Sequence, residues 1–148
     1  MHVNGYQVVA HYDWVGGSLP GETEWAFAAM GMESMAYPWG ESFFEGRDER
    51  LNYCDSNCDS VHADFGMDDD YFQAAPVGTY VDGESWVGAY TVMGNVWDWY
   101  GFYTGHRWEQ HPTSMQPNIH RLLRGGGRGA VGGHARSAFR SWHTPQQW

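Results

Sequence analysis

The sequence predicts an α+β fold, with two helices near the N-terminus followed by a loop-rich, mostly β body. Three observations carry this. Helical periodicity with clear stop signals is confined to the first 31 residues. The composition is rich in large rings and turns, with nine Trp, nine Tyr and 20 Gly against four Leu and one Ile, which suits a core of aromatic rings between glycine turns and not a helix bundle. Beyond Met32 the apolar residues come in short pieces broken by Pro, Gly, Asp and Asn.

The first helix is expected over residues 6–15, "YQVVAHYDWV", where Val8, Tyr12 and Val15 share one face and Gly16 and Gly17 end the element. The second is expected in "LPGETEWAFAAMG". Glu22 and Glu24 suit the positive end of the helix dipole, Trp25, Ala28 and Ala29 make an apolar face, and Gly31 stops it. Gly21 stands at the cap, a substitution that costs only a few tenths of a kcal/mol (~0.3). Tyr80–Val81 and Ser85–Tyr90 are strand candidates, as are "NVWDWYGFY", "HRLLRGG" and "ARSAFRSW". There is no internal repeat, and 148 residues predict one domain with a core of its own.

The net charge is −10 and every basic residue is Arg. This excludes a nucleic-acid surface, which needs a basic face, and suits solubility and cation binding. The run Asp68, Asp69 and Asp70 reads equally as a solvated loop or as a cation site. No stretch reaches membrane-spanning length, and the N-terminus lacks the pattern of a signal peptide. Cys54 and Cys58 are spaced C-x3-C, which fits neither a zinc knuckle nor a redox C-x-x-C pair; a local disulfide and a reduced pair both remain open.

Six segments in order, "LPGETEW", "YPWG", "APVGTY", "MGNVWDW", "RLLRGGG" and "RSAFRSWHTP", resemble the formylglycine-generating enzyme, or sulfatase-modifying-factor, family across roughly residues 8–146. The resemblance implies that family's C-type-lectin-like α+β fold, with two helices and short twisted antiparallel strands. "NYCDSNC" followed by "DDDYFQAAPVG" is similar to a bacterial branch that is often exported, to the periplasm or outside the cell. The family continues past "HTP" into a final strand and begins with a strand ahead of the first helix. The resemblance therefore implies a single domain over 1–148 that is incomplete at both ends, with another chain able to supply the missing edge strands.

The family's defining enzymes oxidise a cysteine of a target sulfatase with a copper ion held by two cysteines. Carried over, those positions are Gly132 and Ser137. A serine hydroxyl is a hard, neutral donor and Cu(I) takes soft thiolates, so formylglycine-generating activity and copper are not expected. Family members also hold structural calcium through oxygen donors. The resemblance implies one site from Asn52, the carbonyl of Tyr53, Asp69 and the carbonyl of Tyr71, with Asp70 in place of a usual glycine. It implies a second from Thr91, the carbonyls of Gly94 and Val96, and Asp98. Asp98 is otherwise a loop cap. Trp97, Arg136, Ser137, Arg140, Trp142 and His143 match the family's substrate groove. Read structurally, Trp97 is a core residue and Arg136 pairs with a buried acid such as Asp98.

The eight histidines, His2, His11, His62, His106, His111, His120, His134 and His143, form no close metal-ligand pattern. The three-histidine iron site of the related sulfoxide synthases draws on a further helical domain, and a newly built site from His134 and His143 is the remaining histidine option. The sequence thus points to a non-catalytic, calcium-stabilised binding or assembly module with a protein or peptide partner. The alternatives are an iron or copper oxidoreductase with a non-cysteine site, and a structural subunit of a larger complex. The lectin-like variable proteins of diversity-generating retroelements, whose diversity lies in the segment matching 124–148, make the binding reading concrete.

Overall fold

A computed structural model describes residues 3–44, 49–102, 121–144 and 146. The elements run α1 (Gly5–Val15), α2 (Glu22–Met30), a 3-10 turn at Val81–Gly83, β1 (Asp98–Phe102), β2 (Arg121–Arg124), a 3-10 turn at Gly132–Ala135 and β3 (Ser141–His143). The fold is α+β and loop-rich, as the sequence predicts. The chain divides into two compact units. The first comprises 1–25, 99–123 and 140–148; the second comprises 26–98 and 124–139.

In the first unit, α1 opens with a capping box. Asn4 Oδ1 accepts from the Gln7 amide at 3.0 Å while Gln7 Oε1 accepts from the Asn4 amide at 2.9 Å, satisfying two donors the helix start leaves over. Gly16 closes the helix in the left-handed region at φ 72°. The expected apolar face is only partly used: Val8 and Tyr12 are half-buried and Val15 is exposed. At the start of α2, Glu24 accepts from the Gly21 amide at 2.7 Å, so the acid supplies the contact that the glycine cap cannot. Trp25 is buried and stacks on Tyr100 of β1, with ring centroids 6.1 Å apart and planes 14° from parallel.

Among the described residues the sheet has three strands, in the order β1-β2-β3. β2 runs antiparallel to β3 with Arg121, Leu122 and Leu123 opposite His143, Trp142 and Ser141. All four residues of β2 are buried, two of them arginines. Burial lowers the pKa of Arg121, and Tyr6 favours its charged form.

Two strand expectations are corrected. Val81 lies in a 3-10 turn, and Ser85–Tyr90 is a tight turn closed by the Ser85 amide on the Ala89 carbonyl at 2.9 Å. Its aromatic and β-branched residues promised a strand, but β-propensity reflects packing on a pleated surface, and Gly83 and Gly88 leave no such surface here. "ARSAFRSW" also divides: it begins at the end of a 3-10 turn and only its last two residues enter β3.

Candidate functional site

The second unit gathers two loops around a buried polar centre. Asn52, Asp55 and Asp69 are all buried. Asp55 Oδ1 accepts from the Asn57 amide at 2.9 Å, an Asx turn that "DSN" favours, and Asp55 Oδ2 accepts from the Asp69 amide at 2.5 Å. Asp69 Oδ1 in turn accepts from the Tyr71 amide at 2.8 Å, and Oδ2 accepts from the Tyr80 hydroxyl at 3.3 Å. Burial is the main force raising the Asp69 carboxyl to about 6; the Tyr71 amide opposes it and the Asp55 charge adds to it. The Tyr80 hydroxyl is pushed up as well, by burial and then by Asp69.

Asn52 has no exposed surface. Its Nδ2 donates to the Gln73 carbonyl at 2.8 Å, while Oδ1 meets no hydrogen-bond partner among the described residues. A buried amide oxygen left this way costs about 1–3 kcal/mol. The acidic run itself divides: Asp68 and Asp70 are exposed, and only Asp69 turns inward. Asp70 adopts φ 66°, in the left-handed region that favours glycine. Cys54 and Cys58 are joined in a disulfide that clasps the same loop.

The residues of the second implied calcium set lie on one sharply bent segment. Thr91, Gly94 and Asn95 all have positive φ, at 53°, 72° and 60°. Gly94 is required: a Cβ there would sit 2.3 Å from the Asn52 carbonyl oxygen. Thr91 and Asp98 are half-buried and Val96 is exposed. Asn95, which the motif reading passed over, ties the unit together. Its side chain accepts from the Ala75 amide at 2.8 Å and donates to the Ala75 carbonyl at 3.1 Å. Its own amide donates to the Asn52 carbonyl at 2.7 Å, and its carbonyl accepts from the Arg128 amide at 2.9 Å.

The residues expected to line a groove fall in both units. In the second, half-buried Trp97 packs on Phe139 with centroids 6.0 Å apart. Arg136 is exposed and directs Nε to the Tyr37 hydroxyl at 3.4 Å. Ser137 is fully buried, its amide donating to Ala36 O at 2.8 Å and its Oγ without a hydrogen-bond partner among the described residues. Buried Arg124 sets this segment by donating Nη1 to the carbonyls of Ser137 and Phe139 at 2.5 and 3.2 Å. In the first unit, Arg140 pairs with Glu22 at 2.6 Å, Trp142 is 61% exposed and His143 is half-buried on β3.

His134 packs on Phe139 with ring centroids 4.5 Å apart and planes tilted by 33° in the second unit, whereas His143 belongs to the first. His2, His106, His111 and His120 lie outside the described residues. Among the described residues no three His, Cys, Asp or Glu side chains gather as a metal site, and no helix is long and apolar enough to cross a membrane.

The sulfatase-modifying factor enzyme 1-like domain matches residues 1–148 of this chain. The chain belongs to the formylglycine-generating enzyme family. Its relatives divide by activity. It is 34% identical over 121 residues to a formylglycine-generating enzyme of Thermomonospora curvata, covering 79% of this chain and 38% of that protein. It is 28% identical to the hercynine oxygenase of Mycolicibacterium smegmatis, over 97% of this chain and 33% of the oxygenase. It is equally 28% identical to the inactive C-alpha-formylglycine-generating enzyme 2 of Bos taurus, over 98% of this chain and 45% of that protein. The chain therefore spans less than half the length of these curated relatives. Among solved structures, PvdO from Pseudomonas aeruginosa superposes with a TM-score of 0.70 at 20% identity, over 97% of this chain and 55% of PvdO. That likeness speaks for the fold alone.

Proposed function

We propose that this chain is a non-catalytic, calcium-stabilised lectin-like module of the family, serving to bind or assemble with a protein or peptide partner. The observation that carries the calcium reading is Asn52 Oδ1, a fully buried acceptor with no hydrogen-bond partner among the described residues. An oxygen-preferring cation would satisfy it. The donor set is Asn52 Oδ1, the Tyr53 carbonyl, Asp69 and the Tyr71 carbonyl, all hard oxygens of the kind calcium takes. Asp55, holding the Asp69 amide, orients the second loop toward the first. A bound cation would also remove the cost of a charged Asp69 beside Asp55. The set Thr91, Gly94, Val96 and Asp98 is proposed as a second calcium site on the same grounds of donor type.

The non-catalytic reading rests on Gly132 and Ser137, which carry no thiolate, and on the likeness to a relative named as inactive. The partner reading follows from the exposed Arg136 and Trp142 in the segment that forms the groove of the family's enzymes. Likeness to a hercynine oxygenase supports a second reading, an oxidoreductase with a non-cysteine metal site.

One experiment separates the two. Protein purified without chelator is analysed for metals, and its melting temperature is followed with calcium and with a calcium chelator. Calcium at about one per chain or more, with a melting temperature that falls on chelation, is expected. Stoichiometric iron or copper would overturn the non-catalytic reading, and a melting temperature indifferent to calcium would overturn the calcium reading.

A further inference from the structure

The two positions to which the resemblance carries the family's copper cysteines, Gly132 and Ser137, do not fit copper in this chain, and the misfit goes beyond missing sulfur. A Cβ added at Gly132 would lie 2.7 Å from Cε1 of Phe43 and 3.0 Å from both Cδ1 and Cζ. Ordinary carbon contacts are about 3.5–4.0 Å, so a side chain at 132 and this ring occupy the same volume. The ring is held among other rings, with Tyr37, Tyr53 and Phe44 centroids at 5.5, 5.4 and 5.8 Å. The loop bearing it is tied to the same segment through the Ser137 amide on Ala36 O. At the other position, Ser137 is sealed from solvent and pinned at both its amide and its carbonyl.

We infer that Phe43 is the residue that closes the family's copper position, so that the centre is lost sterically as well as chemically. The aromatic stretch 37–44 has become the packing partner of the segment 132–137, and residue 132 is glycine because the ring fills the space a side chain would need. The inference is independent of the calcium reading, and its tests are run at constant calcium.

The first test is a double-mutant cycle on folding stability. Gly132→Ala adds only the clashing methyl. In the natural background it is expected to lower the folding equilibrium constant at least about tenfold, the usual scale of overpacking. In a Phe43→Ala background, with the ring gone, the same change is expected to cost less than about twofold. Equal costs in both backgrounds would overturn the inference. If Phe43→Ala does not fold, Phe43→Leu, which keeps apolar volume but removes the ring edge, takes its place in the cycle.

The second test restores the thiols. G132C/S137C and F43A/G132C/S137C are titrated with Cu(I) against a competing chelator under reducing, anaerobic conditions, after circular dichroism has shown both folded. Trimming the ring is expected to tighten Cu(I) binding at least about tenfold, because only then is the space at 132 open to a soft thiolate donor. Equal affinity in the two variants, whether high or undetectable, would overturn the assignment of Phe43 as the closing residue.

Discussion

Replacing Asn95 by alanine strips both side-chain bonds from Ala75 and leaves the backbone conformation in place without its support. Asn95 is 5% exposed, and its amide group exchanges two hydrogen bonds with the Ala75 backbone, at 2.8 and 3.1 Å. Ala75 is itself buried, so its N–H and C=O lose their partners together. Each buried group left unsatisfied costs about 1–3 kcal/mol. The backbone at 95 stays at φ 60°, a left-handed conformation that asparagine tolerates and that costs alanine about 1 kcal/mol more. The terms do not add fully, and together they predict a loss of about 3–4 kcal/mol, a large share of a domain's 5–15 kcal/mol.

Asn95→Asp separates the parts. A carboxylate keeps the acceptor for the Ala75 amide but cannot donate to the Ala75 carbonyl, and it buries a charge. It should destabilise as well, and less so at pH near 4, where the carboxyl takes up a proton and regains a donor. The assay is urea unfolding followed by tryptophan fluorescence, at fixed calcium, with the midpoint shifting and the slope unchanged. A cost below about 1 kcal/mol for Asn95→Ala would refute the reasoning, since it would mean that water enters and satisfies Ala75 at no penalty.

Two other outcomes are expected. The folded-state pKa of Asp69 is raised from 3.8 to about 6, so the folded protein holds this proton more tightly than the unfolded chain does. Its contribution is therefore favourable below about pH 4 and is lost as pH rises through about 6, by an amount on the order of 3 kcal/mol. In calcium-free buffer, chemical denaturation from pH 4 to 6.5 should show this fall for the natural protein and not for Asp69→Asn; parallel curves would refute it. Removal of the Cys54–Cys58 disulfide, which closes a short loop, should lower stability by about 2 kcal/mol from chain entropy. Thermal melts of C54A/C58A that match the oxidised protein would show that the loop is held by Asp55 and Asp69 alone.

Both helices were legible in the chain because their signals are local. Gly16 and Gly31 stop them, and Glu24 beside Gly21 starts the second. The first helix begins at Gly5, one residue ahead of the expected 6–15, because Asn4 and Gln7 form a capping box there. The family was legible too, since six ordered segments survive in sequence regardless of how they pack. Turn-rich β structure was harder: Ser85–Tyr90 carries strand residues and forms a turn, and β2 hides two arginines that composition alone would place on a surface.

The amino-acid sequence by itself determined the two helices, the α+β class, the family and the absence of thiols at 132 and 137. Each is a property of neighbouring residues or of residue identity, and needs no knowledge of distant contacts. Only the tertiary structure decided that Asp69 alone of its run is buried, that Asn52 Oδ1 is left without a hydrogen-bond partner among the described residues, that Asn95 clasps Ala75, and that Phe43 stands where a side chain at 132 would go. These are matters of burial and excluded volume between segments remote in the chain, which packing alone brings within reach of one another.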